Sequence, residues 1–120
     1  MKTKSFLLMA LSAILFIASC KKESASPQIT FSNNITEGTA NNAGEYTISG
    51  HISSAVRLDK VTLTKEGQST PFFTDESTAK NKNEYDYSYL VTGITANTYI
   101  ILDVYNQDGD KITAKFLIRK

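Results

Sequence analysis

The chain has 120 residues, with 13 lysines and arginines against 12 aspartates and glutamates, a formal net charge of +1. This near-neutral balance argues against nucleic acid as a partner, because nucleic-acid binding calls for a basic patch. Cys20 is the sole cysteine of the sequence. No disulfide can therefore form within the chain, and the fold must depend on its hydrophobic core.

The first segment in chain order is an apolar leader. Lys2 and Lys4 precede an apolar run from Phe6 to Ile17, which is the arrangement of a secretory signal. The run is about a dozen residues long, whereas a helix that spans a bilayer needs roughly 18 or more. We therefore expect a cleaved signal rather than a transmembrane helix. Removal of residues 1–19 leaves about 100 residues, enough for one domain and too few for two.

The leader ends in the stretch Ile17-Ala18-Ser19-Cys20. This stretch resembles the bacterial lipoprotein box, in which an aliphatic residue and two small residues precede the cysteine. The resemblance implies cleavage between Ser19 and Cys20, thioether lipidation of Cys20 and acylation of the new amino terminus. Two or more acyl chains anchor a protein stably, and the resemblance implies a location in the bacterial cell envelope, at the outer membrane. The alternative is a plain signal peptide that leaves Cys20 without lipid.

The chain is expected to have three parts: the signal peptide 1–19, a lipidated cysteine with a flexible tether at 20–27, and one domain at 28–120. The tether is polar, small and ends in proline, a composition typical of flexible linkers. In the Bacteroides group, acidic residues just after the lipidated cysteine are associated with export to the cell surface. Glu23 is the one acidic residue of this tether, so the leaflet stays open.

The domain shows hydrophobic alternation with a period of two and no helical stripe of useful length. This pattern predicts seven short strands separated by turn signals. They fall near residues 29–31, 45–52, 61–64, 70–74, 84–91, 99–105 and 111–119. Pro71 favours an edge position for the fourth strand, and 75–83 is expected to be a mobile polar loop. The number and spacing favour an all-β immunoglobulin-like sandwich, with a small β-barrel as the alternative.

The stretch from Val91 to Val104 resembles the E–F region of fibronectin type III domains. Ile94, Ala96 and Thr98 match the spacing of that family, while Ile100 occupies the position of its corner tyrosine. More broadly, the chain resembles the small immunoglobulin-like lipoproteins of the Bacteroides group. These resemblances imply a β-sandwich on a lipid anchor.

Two groups of polar residues and one histidine are candidates for chemistry. The turn with Asn106, Asp108 and Asp110 offers oxygen ligands, but it lacks the bidentate glutamate of a calcium loop and is better explained as a hairpin turn. Glu84 and Asp86 share one strand face, which favours a solvated surface over a pair of catalytic carboxylates. His51, the single histidine, is expected on the surface. The sequence therefore predicts no catalytic residue, metal or cofactor, and no enzyme.

A candidate binding patch is the one hypothesis with a specific residue set. Tyr99, Ile101 and Tyr105 share the outer face of the sixth predicted strand, and Leu117 lies on the outer face of the seventh. If the two strands pair, these four residues form an apolar and aromatic patch that could bind a protein or a glycan. The alternative is that the 75–83 loop or a packed neighbour covers them. The expected function is an envelope binding or structural module, with carbohydrate binding in a glycan-uptake system as the alternative.

Overall fold

The computed structural model describes residues 26–120; the predicted signal peptide, Cys20 and most of the tether lie outside the described residues. Eight strands are present in the described part of the chain, together with a short 3-10 turn at Ser32–Asn34. In chain order they are β1 (Gln28–Phe31), β2 (Glu37–Thr39), β3 (Tyr46–Ser53), β4 (Leu58–Lys65), β5 (Phe73–Asp75), β6 (Glu84–Val91), β7 (Thr98–Asn106) and β8 (Lys111–Arg119).

The strands form two separate sheets. One sheet has the strand order β1-β3-β6, and the other has the order β2-β8-β7-β4-β5. All strand pairs are antiparallel except β2 with β8. This arrangement confirms the predicted immunoglobulin-like sandwich, and the alternative of a small closed barrel is wrong.

Strand β2 corrects the prediction of seven strands, which has no strand between those at 29–31 and 45–52. The strand instead pairs in parallel with β8, and Glu37 lies opposite Leu117. Gly38 permits this approach, because the Tyr46 ring occupies the space that a side chain at position 38 would need. The pairing joins opposite ends of the domain sequence, so local alternation carries no sign of it.

Strand β5 differs from the prediction in extent. The sequence predicts a strand at 70–74, whereas the observed strand is Phe73–Asp75. It lies next to β4 at the edge of the five-stranded sheet, as expected. Pro71 precedes the strand and so removes no hydrogen bond from it.

The core lies between the sheets, on the faces that the alternation predicts. Its fully buried strand residues are Ile48, Ile52, Leu58, Val61, Leu63, Val91, Ile100, Leu102, Val104 and Ile118. The ring centroid of Phe116 lies 5.2 Å from that of Phe31 and 5.3 Å from that of Tyr46. Ile112 and Ala114, which lie on the same face of β8 as Phe116 and Ile118, are half-buried. One layer of apolar side chains therefore holds both sheets together.

Tyr87 connects β6 to β1 across the intervening strand. It lies opposite Gly50 of β3, and its hydroxyl donates to the Thr30 carbonyl at 3.0 Å. Burial raises the pKa of Tyr87 well above its usual range. A methyl group at position 50 would overlap both the Thr30 carbonyl and the tyrosine hydroxyl. The close approach therefore requires glycine there.

Asp75 links the two sheets at one flank of the sandwich. Its carboxylate accepts hydrogen bonds from the Tyr89 hydroxyl at 2.9 Å and from the backbone N–H groups of Thr78 at 2.9 Å and Ser77 at 3.2 Å. The hydroxyls of Thr78 and Tyr85 also donate to it. Burial alone would raise the pKa of Asp75, but the hydrogen bonds from Thr78, Tyr89 and Ser77 outweigh it and hold the pKa below its usual range.

We expect Asp75→Ala to lower the free energy of unfolding by about 2 to 3 kcal/mol at neutral pH, because buried donors lose their acceptor. Because the folded pKa of Asp75 is depressed, the stability that its carboxylate contributes is present above the unfolded pKa of about 3.9. That stability is lost as pH falls through the folded pKa. Urea unfolding followed by circular dichroism at pH 7 and at about pH 2 measures both effects.

Asp59→Ala serves as the control for this experiment. Asp59 forms an exposed ion pair with Lys80, at 3.8 Å, and such pairs contribute about 0 to 1 kcal/mol. An equal loss of stability in the two variants, or no loss in Asp75→Ala, would contradict the assigned role of Asp75.

Candidate functional site

The four residues of the candidate patch all lie on the outer face of the five-stranded sheet. Tyr99 is directly opposite Leu117, and Ile101 is the next outward residue along β7. Tyr105 lies beyond Asp103, about 20 Å along the strand from Tyr99. Tyr99 is 44% exposed and the other three patch residues are half-buried. The structure therefore brings three of the four together and separates Tyr105 from them.

Lysine side chains lie over both tyrosine rings of this face. The Lys60 and Lys111 ammonium groups lie 4.9 Å and 6.0 Å from the Tyr105 ring centroid. That of Lys115 lies 5.9 Å from the Tyr99 centroid. Neither Lys60 nor Lys111 has an ion-pair partner within residues 26–120. Lys115 is ion-paired with Glu66 at 3.0 Å, so Lys60 and Lys111 are the cations that this face adds to the apolar and aromatic patch that the sequence predicts.

The segment 76–83, the alternative cover for this patch, packs elsewhere. The Asn81 N–H donates to the Leu58 carbonyl at 2.9 Å, and the Leu58 N–H donates to the Lys82 carbonyl at 2.8 Å. Ala79 of the same segment is buried in the core. These bonds hold the segment against the connection between β3 and β4, at the flank of the sandwich. It leaves the outer face of β7 and β8 open.

The outer face of the three-stranded sheet brings His51, Glu84 and Asp86 together. His51 is opposite Asp86 across the β3–β6 pair. Its Nδ1 lies 2.7 Å from Asp86 Oδ1, and its Nε2 lies 2.9 Å from Glu84 Oε1. Hydrogen bonding to Asp86, and then to Glu84, raises the pKa of the exposed His51. The sequence placed each residue on the surface but gave no sign of this contact, because it depends on the register between two distant strands.

A shallow depression of about 320 Å³ lies beside this cluster. Its lining includes His51 and the hydroxyls of Ser32 and Ser49, whose oxygens are 3.0 Å apart. Catalysis by a serine nucleophile requires a histidine nitrogen that can accept the hydroxyl proton. Both nitrogens of His51 are engaged by carboxylates. The arrangement is therefore that of a surface ion cluster and lacks a serine–histidine pair.

The turn at Asn106 forms the predicted hairpin. The Asn106 side-chain oxygen accepts from the backbone N–H groups of Asp108 at 2.9 Å and Asp110 at 3.0 Å. Gly109 has φ +87°, the left-handed conformation that such turns require. Across residues 26–120, no cluster of three or more histidine, cysteine, aspartate or glutamate side chains is arranged to hold a metal ion.

Comparison with solved structures supports the fold. The chain is similar to a structure titled as the fibronectin(III)-like modules of CbhA from Clostridium thermocellum, with a TM-score of 0.55 and 14% identity. The match covers 79% of this chain and 46% of that one, so this chain spans less than half the length of its structural neighbour. No protein-family model and no curated protein matches the sequence. A likeness at this identity shows the fold alone.

Helices contribute little to the domain. Within the residues that the structure describes, none is both long enough and apolar enough to cross a bilayer.

We expect the pKa of His51 to lie above its ordinary value of about 6.5 in the folded protein. Asp86→Asn should lower it most and Glu84→Gln less, because hydrogen bonding to Asp86 is the larger cause. The stability that protonated His51 contributes is complete below the unfolded pKa and is lost as pH rises through the folded pKa. Titration of the imidazole signals by NMR measures these shifts.

Asp103→Asn, on the outer face of the other sheet, is the matched control and should leave the His51 titration unchanged. A wild-type pKa at or below the ordinary value would contradict the cluster, as would titration curves that are identical in Asp86→Asn and wild type.

Proposed function

We propose that the chain is a lipid-anchored binding or structural module of the bacterial cell envelope, held at the outer membrane through Cys20 and without catalytic activity. The main support is the lipoprotein box at 17–20, placed directly before a short tether and a single fibronectin-III-like sandwich. Such a sandwich suits a structural or interaction role, because its two sheets enclose a packed core and present their outer faces for contact.

The tether keeps the proposed module close to the membrane. It runs from Cys20 to Pro27, and β1 begins at Gln28. A fully extended chain spans at most about 3.5 Å per residue, so the tether reaches roughly 28 Å. The domain therefore stays within about its own width of the lipid surface.

The hydrogen bonds made by His51 and Asp75 support the proposal of a non-catalytic module. His51 is paired through both nitrogens with Asp86 and Glu84, and Asp75 is occupied as an acceptor for Tyr89 and Thr78. These side chains serve the surface and the core. Each would have to exchange its present partners before it could act on a substrate.

Lipidation is tested on the full precursor in an expressing bacterium. Wild-type chain and Ser19→Ala, which keeps a small residue before the cysteine, should both incorporate labelled palmitate. Cys20→Ala should incorporate none, because the thioether requires the thiol. Globomycin should cause the wild-type precursor to accumulate with its leader attached. A mature protein without lipid, free in the periplasm, would overturn the proposed anchor.

Carbohydrate binding is the second candidate function, and the exposed tyrosines favour it. Tyr99 is 44% exposed beside Leu117, and tyrosine rings can stack on sugar rings. Tyr105 lies between Lys60 and Lys111, whose ammonium groups can donate hydrogen bonds to sugar oxygens or pair with acidic sugars. A module that binds carbohydrate in this way would serve a glycan-uptake system.

A glycan array probed with wild-type protein tests this candidate. If a glycan long enough to reach both rings binds, Tyr99→Ala and Tyr105→Ala should each weaken binding about fivefold or more, the loss expected for an aromatic contact in the interface. Leu90→Ala, an exposed apolar residue on the other sheet, should bind like wild type. An array without any signal from wild-type protein would rule the candidate out.

A further inference from the structure

The flank of the sandwich between β5 and β6 carries features that neither the candidate patch nor the anchor explains. We infer that this flank, called here the β6 edge, binds an extended peptide segment that adds to β6 as a further strand. The segment has apolar residues at alternate positions and a basic residue beside Asp86. Its binding does not depend on the face that contains Tyr99 and Tyr105.

The backbone of β6 supplies the first observation. All eight of its residues pair with β3, from Glu84 opposite Ser53 to Val91 opposite Tyr46. β6 is the last strand of its sheet, and no other strand within residues 26–120 pairs with its second edge. The row of free N–H and C=O groups along such an edge is a template for another strand.

Exposed apolar side chains supply the second observation. Phe73 and Leu90 are 40% and 60% exposed and both lie at this flank, and Phe72, the residue before Phe73, is 39% exposed. The Phe73 ring centroid is 5.1 Å from that of Tyr89. A hollow of about 300 Å³ is lined by Phe73, Ser88, Tyr89 and Leu90. An added strand would turn alternate side chains into this hollow and cover the Phe73 ring.

The hollow is open because the sheets have edges of unequal length. β5, at the same flank of the opposite sheet, has three residues against the eight of β6. The segment 76–83 packs on Tyr85, whose hydroxyl lies 2.9 Å from the Thr78 hydroxyl. It therefore covers this flank near the start of β6, and the Asp75–Tyr89 hydrogen bond joins the two sheet edges beyond it. The hollow borders the residues from Ser88 to Leu90.

Charge on the outward side specifies the partner further. The outward residues of β6 are Glu84, Asp86, Ser88 and Leu90. Both carboxylates contact the one imidazole of His51, which carries at most one positive charge, so the acidic pair keeps a net negative charge. Neighbouring side chains on adjacent strands interact directly, and opposite charges stabilise the pair. A partner strand is therefore matched by a basic residue beside Asp86 and an apolar residue beside Leu90. A second copy of β6 offers two acidic residues and no basic one, so self-pairing is the poorer match.

The test uses the chain expressed with its leader and carrying Cys20→Ser, so that lipid does not interfere. The probe is the capped peptide Lys-Val-Thr-Val-Leu-Val. Its valines stand at alternate positions, and its lysine and leucine can lie beside Asp86 and Leu90. Two further peptides replace its lysine by glutamate or its central valine by proline. Binding is followed by NMR through the backbone amides. We expect shifts and slowed amide exchange over 84–91, and at least about fivefold weaker binding of the glutamate and proline peptides.

Variants locate the contact. Leu90→Lys and Phe73→Ala should weaken binding about tenfold, whereas Tyr99→Ala, with similar exposure on another face, should not change it. Asp86→Lys should reverse the preference between the lysine and glutamate peptides, and this readout does not depend on Phe73→Ala remaining folded. No shift along β6 at millimolar peptide would overturn the inference. Shifts confined to the Tyr99 face, or β6 amides protected by self-association alone, would overturn it equally.

Discussion

The shape of the sandwich at the flank between β5 and β6 depends on the hydrogen bonds that the Asp75 carboxylate accepts. Asp75 ends β5 in one sheet, and Tyr89, which donates to it, belongs to β6 in the other. The contact between these sheet edges is therefore a charged hydrogen-bond cluster as well as apolar packing. Buried acceptors of this kind are costly when their donors are lost. The backbone bonds from Ser77 and Thr78 then start the segment that crosses to β6.

The hydrogen-bond cluster at Asp75 also determines which surfaces of the domain stay exposed. It holds 76–83 against the beginning of β6 and the connection before β4, away from the outer face of β7 and β8. Three surfaces of different chemistry result: the tyrosine–lysine face, the His51 cluster with its two carboxylates, and the apolar β6 edge. A small domain can offer several contacts in this way, because its outer faces and edges differ in charge and polarity.

The sequence predicted the features that depend on local alternation and missed those that depend on register. Inward residues such as Ile100 and Leu102 follow from a period of two, and the adjacency of Tyr99 and Leu117 follows from a hairpin between consecutive strands. The pairing of Glu37 with Leu117, and that of His51 with Asp86, join strands far apart in sequence. Phe73 is exposed because β5 is short and leaves part of the β6 edge, in the opposite sheet, uncovered. No pattern within one segment carries that information.

A short tether to a lipid anchor would lower the affinity that each of these surfaces needs. Each of them is small, so a free domain would bind through any one of them only weakly. Anchored modules confined to a membrane meet membrane-bound partners at a high effective concentration, and several weak contacts then combine without any new interface. On this reasoning, the separation of the Tyr99 face from the β6 edge matters, because surfaces on different sides of one domain can be occupied at the same time. An anchored module built in this way can bridge two partners, whereas a single large patch would bind one.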